Sequence, residues 1–422
     1  MEIDVRTGIY VPVRDASKCT GCGLCETICP FLSLDLKALN TALFGSPPEH
    51  PYLGHFRAIY LGHATDQELR WSASSGGLAT VLLLKALEDG LIDGAVLVRM
   101  KKREPLVPEP FVAKTDRDVL DAMGSKYCPV PLGVAIREAL EELDKIAVVG
   151  LPCHIMALRK AEMTIKELKE RVVLHIGLFC FHTASFHALS LMLHRLGVRP
   201  RDVAHLTFRG RGWPGQMTVR LKDGSERAMG FHDMFLLWGP CLFTPPACLL
   251  CPDATNELAD ISLGDAWHLP ELTGAVSPGH SIIVVRTEAG ERLLSSARRD
   301  GLVELREIGQ GELLRSQGAG LRFKKHGIYI RAALAGRPAW WRGLRAIGPN
   351  LGDWLASMLA HASARLTLRR GALALLARTP FALLKLYSSL FFRLVGGPKL
   401  LYPKAFNEDF RRGSQVQHQG VE

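Results

Sequence analysis

The chain has 422 residues, 47% of them hydrophobic, and a formal net charge of +10. That length supports two or three domains with their own cores, and the composition is that of an ordinary soluble protein rather than a disordered or multi-span membrane chain. The excess charge sits near the end, where residues 321–404 hold fifteen Lys or Arg and a single acid, Asp353. With no finger or aromatic-interleaved basic patch, nucleic acid is not expected as a partner.

The first residues, with Glu2, Asp4, Arg6 and Arg14, contain no apolar core, so no secretion signal is expected. The chain is read as cytoplasmic with reduced thiols. Next comes Cys19-Thr-Gly-Cys22-Gly-Leu-Cys25-Glu-Thr-Ile-Cys29-Pro30, the spacing of a bacterial ferredoxin run. Gly21 and Gly23 permit the tight turns that wrap such a loop around one cubane. Zinc sites usually pair two C-x2-C units across a longer gap, and a disulfide pair does not suit a chain without a secretion signal. Cys19, Cys22, Cys25 and Cys29 are therefore read as 4Fe–4S ligands. In two-cluster ferredoxins the last cysteine of a run serves the other cluster, which leaves Cys29 a competitor for a place in a second one.

After a joint at Pro47-Pro48 and Pro51, strands and helices alternate. Strands are expected at 57–62, 94–98, 145–150 and 171–179. Helices are expected at 74–87, 116–123, 131–143 and 155–161. Short apolar strands between helices predict an α/β fold, a mainly parallel sheet flanked by helices. From about residue 203 the pattern becomes α+β. Strands at 203–208 and 217–221 look antiparallel, closed by Lys222-Asp223-Gly224. A strand at 281–286 and a helix at 290–299 follow, and 330–400 reads as helices. The domains are drawn as a ferredoxin-like insert at 1–50, an α/β cofactor-binding domain at 51–200, an α+β domain at 201–335 and a basic helical extension at 336–422. The polar tail after Glu408 is expected to be disordered.

Cys153 and Cys180 each follow a buried strand, at the carboxyl end where parallel sheets place their sites. Buried cysteine alone is often apolar filler. Two at strand ends, with the downstream pair Cys248 and Cys251, favour ligands of a second cubane. Cys128 and Cys241 are read as structural. Ser72-Ala-Ser74-Ser75-Gly76-Gly77 is read as a serine-capped helix start, an anion site if a ligand is present. Gly124-Ser125-Lys126 supplies a turn, a hydroxyl and a cation for a second phosphate. Asp260 and Asp265 are candidates for flavin hydrogen bonds, with turn chemistry the alternative. His154, His175, His182 and His187 flank this region and are read mostly as packing or surface residues, with a proton donor the alternative for any one of them.

These elements stand in the same order as in the family of coenzyme F420 hydrogenase/dehydrogenase beta subunits, which the chain resembles over about residues 15–335. The resemblance rests on Trp71 to Gly77, Gly124 to Tyr127, Gly150 to Cys153, Ile176 to Cys180 and Cys248 to Asp265. It implies FAD and at least one 4Fe–4S cluster. It also implies electron exchange with a ferredoxin or another iron–sulfur carrier, and an organic acceptor: a deazaflavin in archaeal members, a tetrapyrrole in ferredoxin-dependent chlorophyll-type reductases. Carried over by motif, the distal cluster falls on Cys153, Cys180, Cys248 and Cys251, and FAD contacts fall on Ser75, Gly76, Gly77, Ser125 and Lys126. The expected protein is thus an oxidoreductase with two clusters and FAD. The alternative is an electron-transfer subunit without a substrate of its own. Either is expected as a homo-oligomer or a subunit of a complex. The basic C-terminal region departs from the resemblance. Its segment 380–395 is too short and too charged to span a bilayer. It reads either as a helix packed on the core or a second subunit, or as an interfacial helix at the inner membrane face.

Overall fold

The computed structural model describes residues 1–269, 278–337, 341–342 and 347–396; the polar tail expected after Glu408 lies outside them. Eight strands make the central sheet: β1 Ala58–Ala64, β2 Gly94–Met100, β3 Pro108–Ala113, β4 Ile146–Gly150, β5 Val172–Leu178, β6 Ile261–Asp265, β7 Ser281–Val285 and β8 Val303–Glu307. Their spatial order is β8-β1-β7-β6-β5-β4-β2-β3. The four central strands β2, β4, β5 and β6 are mutually parallel. The outer strands on both sides pair antiparallel.

The fold is therefore α/β with a parallel centre and antiparallel margins. The centre was legible because it is buried on both faces, which produces near-continuous apolar runs. In β4, Ala147 packs into one core and Ile146 and Val148 into the other. The first core is covered by helices Leu78–Glu88 and Glu288–Arg299. The second is covered by Gly133–Glu142 and Pro152–Glu162. The edge strand β3 was missed because Pro108 and Pro110 sit in it. An edge tolerates a residue that cannot donate to the ladder.

The boundary expected at residue 200 does not divide the sheet, since β6, β7 and β8 complete it beside strands from before that point. A separate three-stranded antiparallel sheet is formed by Val203–Thr207, Gln216–Leu221 and Glu226–Gly230, with the second strand in the middle. Three helices close the described chain, Leu351–Thr367, Arg370–Arg378 and Phe381–Leu394. Phe391, Phe392, Ala356, Ala360 and Ala364 bury against Phe323, Leu249 and Cys241. Part of the extension thus packs on the core. Among the described residues no helix is long and apolar enough to cross a membrane.

Candidate functional site

The parallel centre fixes one end of the sheet as the place where loops can converge. Cys153 lies in the first turn of helix Pro152–Glu162, just after β4. Cys180 follows β5 by two residues. The loop after Cys251 binds both strand ends. Cys180 N donates to Ala254 O at 2.9 Å. Asn256 Nδ2 donates to Gly150 O at 2.8 Å and to Leu178 O at 3.3 Å. Asp253 shapes that loop by accepting from the backbone of Thr255 at 3.0 Å, Asn256 at 2.8 Å and Glu257 at 2.8 Å.

The result gathers Cys153, Cys180, Cys248 and Cys251 within electrostatic reach of one another. Burial raises the pKa of the Cys153 thiol, and Cys251, Cys248 and Cys180 push it further. Burial pushes Cys180 up to about 12, against the pull of Lys324. Among the described residues no three His, Cys, Asp or Glu meet closely enough for a single metal ion. A cubane takes its four thiolates on separate irons, and four cysteines are the donor type it requires. Lys324, 1% exposed, lies with these thiols, and no sequence signal pointed to it. A lysine in an amphipathic helix reads as solvated.

The ferredoxin-like run folds as a loop with Gly21 at φ 73° and Gly23 at φ 70°, then helix Leu24–Ile28. Cys19, Cys22 and Cys25 are exposed and Cys29 is half-buried. The backbone N–H of Leu24 holds the Cys22 thiol below its ordinary pKa. Lys160 Nζ donates to Cys29 O at 3.1 Å. Lys160 is seven residues beyond Cys153 on the same helix, which is about 10 Å along its axis. The Cys29 backbone is thus tied to the helix that begins at Cys153.

The two small turns meet. Ser74 Oγ accepts from Ser125 N at 2.8 Å. Ser75 Oγ donates to His280 O at 2.6 Å, and Gly76 N donates to Ser281 Oγ at 3.0 Å. A Cβ on Gly76 would lie 2.8 Å from Gly62 O and 2.9 Å from Ser281 N, so only glycine fits there. The expected serine cap is corrected. Gly77, at φ 78°, caps the helix beginning at Leu78, and both serine hydroxyls bind neighbouring segments instead. Lys126 donates to the carbonyls of Ala122 and Met123, and burial lowers its pKa to about 7.

Asp265, at the carboxyl end of β6, is engaged by protein. Arg209 donates to its two oxygens at 2.8 and 2.9 Å, and Trp213 Nε1 donates at 2.9 Å. Arg209 also reaches the Tyr127 hydroxyl at 3.2 Å, which links Asp265 to the Gly124–Tyr127 turn as a positioning group. Asp260 does not join the site. It precedes β6, at the opposite end of the sheet. Its carboxylate accepts from His175 N at 2.7 Å and Thr287 Oγ1 at 2.8 Å. Burial would raise its pKa, but His175 and Arg159 lower it by more.

The histidines take structural partners, in line with the reading of most of them as packing or surface residues. His175 is clamped between Glu162 at 2.6 Å and Asp260 at 3.0 Å. Burial lowers His154 and His182 to about 4, which keeps both neutral near pH 7. His187 packs against the N-terminal hairpin formed by Glu2–Asp4 and Ile9–Val11, with Nε2 3.1 Å from Arg6 O. Cys128 lies in an apolar cluster, and Cys241, fully buried, faces Cys248.

Residues 59–137 and 143–310 match the models for the N-terminal and C-terminal parts of the coenzyme F420 hydrogenase/dehydrogenase beta subunit. The beta subunit of coenzyme F420 hydrogenase from Methanosarcina barkeri is 30% identical over 272 residues, 62% of this chain and 85% of that one. The chain belongs to the family of coenzyme F420 hydrogenase/dehydrogenase beta subunits. Within this family it also resembles an F(420)H(2) dehydrogenase subunit of Methanosarcina mazei, at 30% identity over 66% of this chain and 70% of that one. A chain of the F420-reducing [NiFe] hydrogenase complex from Methanosarcina barkeri superposes with a TM-score of 0.52 at 28% identity. That match covers 65% of this chain and 91% of that one. Residues 11–34 match a 4Fe–4S binding domain, which agrees with the N-terminal cysteine run. Both beta-subunit models end before Lys324 and the C-terminal helices.

Proposed function

We propose that this chain is an iron–sulfur flavoprotein oxidoreductase subunit. It passes electrons between two 4Fe–4S clusters, FAD and an organic acceptor of the deazaflavin class, in exchange with a ferredoxin or another iron–sulfur carrier. The observation that carries this reading is the convergence of four distant cysteines at the carboxyl end of the parallel strands. Bound clusters supply one-electron transfer, and a flavin couples it to two-electron chemistry on an organic molecule.

The chain's own residues do the positioning. Cys19, Cys22, Cys25 and Cys29 hold the outer cluster in an exposed loop, open to a carrier. Cys153, Cys180, Cys248 and Cys251 hold the inner one. Helix Pro152–Glu162 spans between them, with Cys153 near one end and the Lys160 contact to Cys29 near the other. Ser74 to Gly77 with Ser125 and Lys126 are proposed to cradle FAD. Anaerobically purified protein is expected to hold about eight irons and one flavin, and to reduce a deazaflavin in a screen that also contains ferredoxin, nicotinamide and tetrapyrrole. A preparation with half that iron and no flavin overturns the reading.

A second reading, an electron-transfer subunit at a membrane surface, is favoured by the C-terminal helices. Of the large apolar residues exposed in the described chain, nine lie between Leu351 and Leu390, Trp354 among them. The chain there carries Arg365, Arg369, Arg370, Arg378, Lys385 and Arg393 and one acid, buried Asp353. Exposed basic and apolar residues along these helices, with no exposed acid among them, suit an anionic lipid interface.

A further inference from the structure

Helix Gln310–Lys325 and the next, Ile328–Leu334, bring several cations to the interior. Two of them have carboxylate partners. Lys325 pairs with Glu257, and Arg322 pairs with Asp353 at 2.8 Å. Lys324 and Arg331 are buried more deeply than either, at 1% and 0% exposure, with no ion-pair partner among the described residues. A buried charge without a counter-ion is costly, so an anion is expected where they point.

Arg331 is held in place from three sides. Its Nε donates at 2.7 Å to the carbonyl of Leu249, inside the Cys248–Cys251 loop. The guanidinium stacks 3.8 Å from the centre of the Phe323 ring. Nη1 lies beside Gly327, where a Cβ would come within 2.5 Å of it. Yet Nη1 and Nη2 have no hydrogen-bond partner. Lys324 faces the thiols of Cys251, Cys180 and Cys248, and its charge is also felt at Cys153. Lys324 thus lies among three thiols of the distal quartet, and Arg331 lies against the loop that carries Cys248 and Cys251, with Cys241 and Cys251 the thiols its charge reaches.

We infer that Lys324 and Arg331 are built-in countercharges of the cluster held by Cys153, Cys180, Cys248 and Cys251, and that they raise its reduction potential. The inference rests on the cluster assignment proposed above. Reduction adds one negative charge to an already anionic unit, so a fixed buried cation favours the reduced form over the oxidised one.

The test is an EPR-monitored redox titration with dithionite of the full-length chain, with Cys22→Ser and Cys25→Ser removing the outer signal. Lys324→Gln and Arg331→Gln are each expected to lower the reduced-to-oxidised ratio at fixed potential at least tenfold, about 59 mV for a one-electron couple. Lys324→Arg and Arg331→Lys are expected to stay near the parent, as is the exposed control Arg378→Gln. Loss of iron in both neutral variants, with iron kept in both charge-preserving ones, also supports the assignment. Unchanged potentials in the loaded neutral variants overturn it, and so does equal iron loss in neutral and charge-preserving variants. If the parent binds no inner cluster, the cluster assignment itself has failed, a different result from an insensitive potential.

Discussion

Lys126 shows what a single side chain at the site can report. Its ammonium has carbonyl oxygens for partners, and burial brings its pKa from 10.5 to about 7. The folded value is depressed, so the unfolded chain binds more protons between about pH 7 and 10.5. The flavin-free protein should therefore gain stability as pH rises through that window. If FAD binds as proposed, its diphosphate at the Ser74–Gly77 and Ser125 turn would favour the charged lysine and reverse the trend for binding. FAD affinity is then expected to fall by up to roughly tenfold per pH unit above pH 7. In Lys126→Met it should be weaker and flat with pH. Isothermal titration at pH 6, 7, 8 and 9 reads this directly, and a flat parent profile removes Lys126 from the phosphate site. That the two turns meet was not legible in the sequence, because the Ser74 to Ser125 contact joins segments 51 residues apart. Asp260 misled because a strand-end aspartate reads alike at either end of a strand. Only the sheet's direction separates Asp265, at the carboxyl end, from Asp260, sealed at the other by His175 and Thr287.

Elements with strong periodicity or unbroken apolar runs were the most legible. The reading at 145–150 became β4 and that at 171–179 became β5, each within a residue at its ends. Helix starts were displaced where side-chain caps intervened, as at Thr287, whose hydroxyl accepts from Gly290 N and starts the helix at Glu288. Helix Phe381–Leu394 was ambiguous in sequence because both faces are apolar. In the fold Leu384, Phe391 and Phe392 are buried, while Leu383, Leu386 and Leu390 stay exposed. The exposed row carries the membrane reading. Each leucine contributes roughly 1.5–3 kcal/mol when fully buried. A Leu383→Gln, Leu386→Gln, Leu390→Gln variant is therefore expected to lose at least about 100-fold in affinity for anionic vesicles. Thermal stability should be little changed, because none of the three packs inside. Flotation of the parent and the variant with vesicles containing anionic lipid checks this, against vesicles of neutral lipid alone. Parent protein that floats with neither leaves the row as a docking face for another subunit.

At the scale of the whole molecule, the C-terminal helices and the thiol quartet form one structure. The helices lie outside the matched family regions, yet they are tied to the site by three separate contacts. Arg322 pairs with Asp353 at 2.8 Å, Ser357 Oγ donates to Gly327 O at 3.3 Å, and Phe391 packs with Phe323 and Leu249. Nothing in the local sequence reports such long-range closure, since an alanine- and leucine-rich helix fits many surfaces equally well. The consequence is a difference in exposure between the two proposed clusters: Cys19, Cys22 and Cys25 are exposed, whereas the inner cysteines are half-buried or buried, with the helices covering Leu249 in their loop. Phe391 is fully buried beneath those helices. Replacing it with alanine removes the ring and leaves a cavity, a change that typically costs about 3–5 kcal/mol. The inner site should then open to solvent more often than the outer one changes. On air exposure, Phe391→Ala is expected to lose its inner iron several-fold faster than the parent, while the outer cluster decays at the parental rate. Iron release followed by chelator absorbance, in backgrounds carrying either Cys22→Ser or Cys248→Ser, separates the two. Equal acceleration at both sites would instead mean that the substitution loosens the whole fold, and equal rates in variant and parent would mean that the helices give the inner cluster no protection.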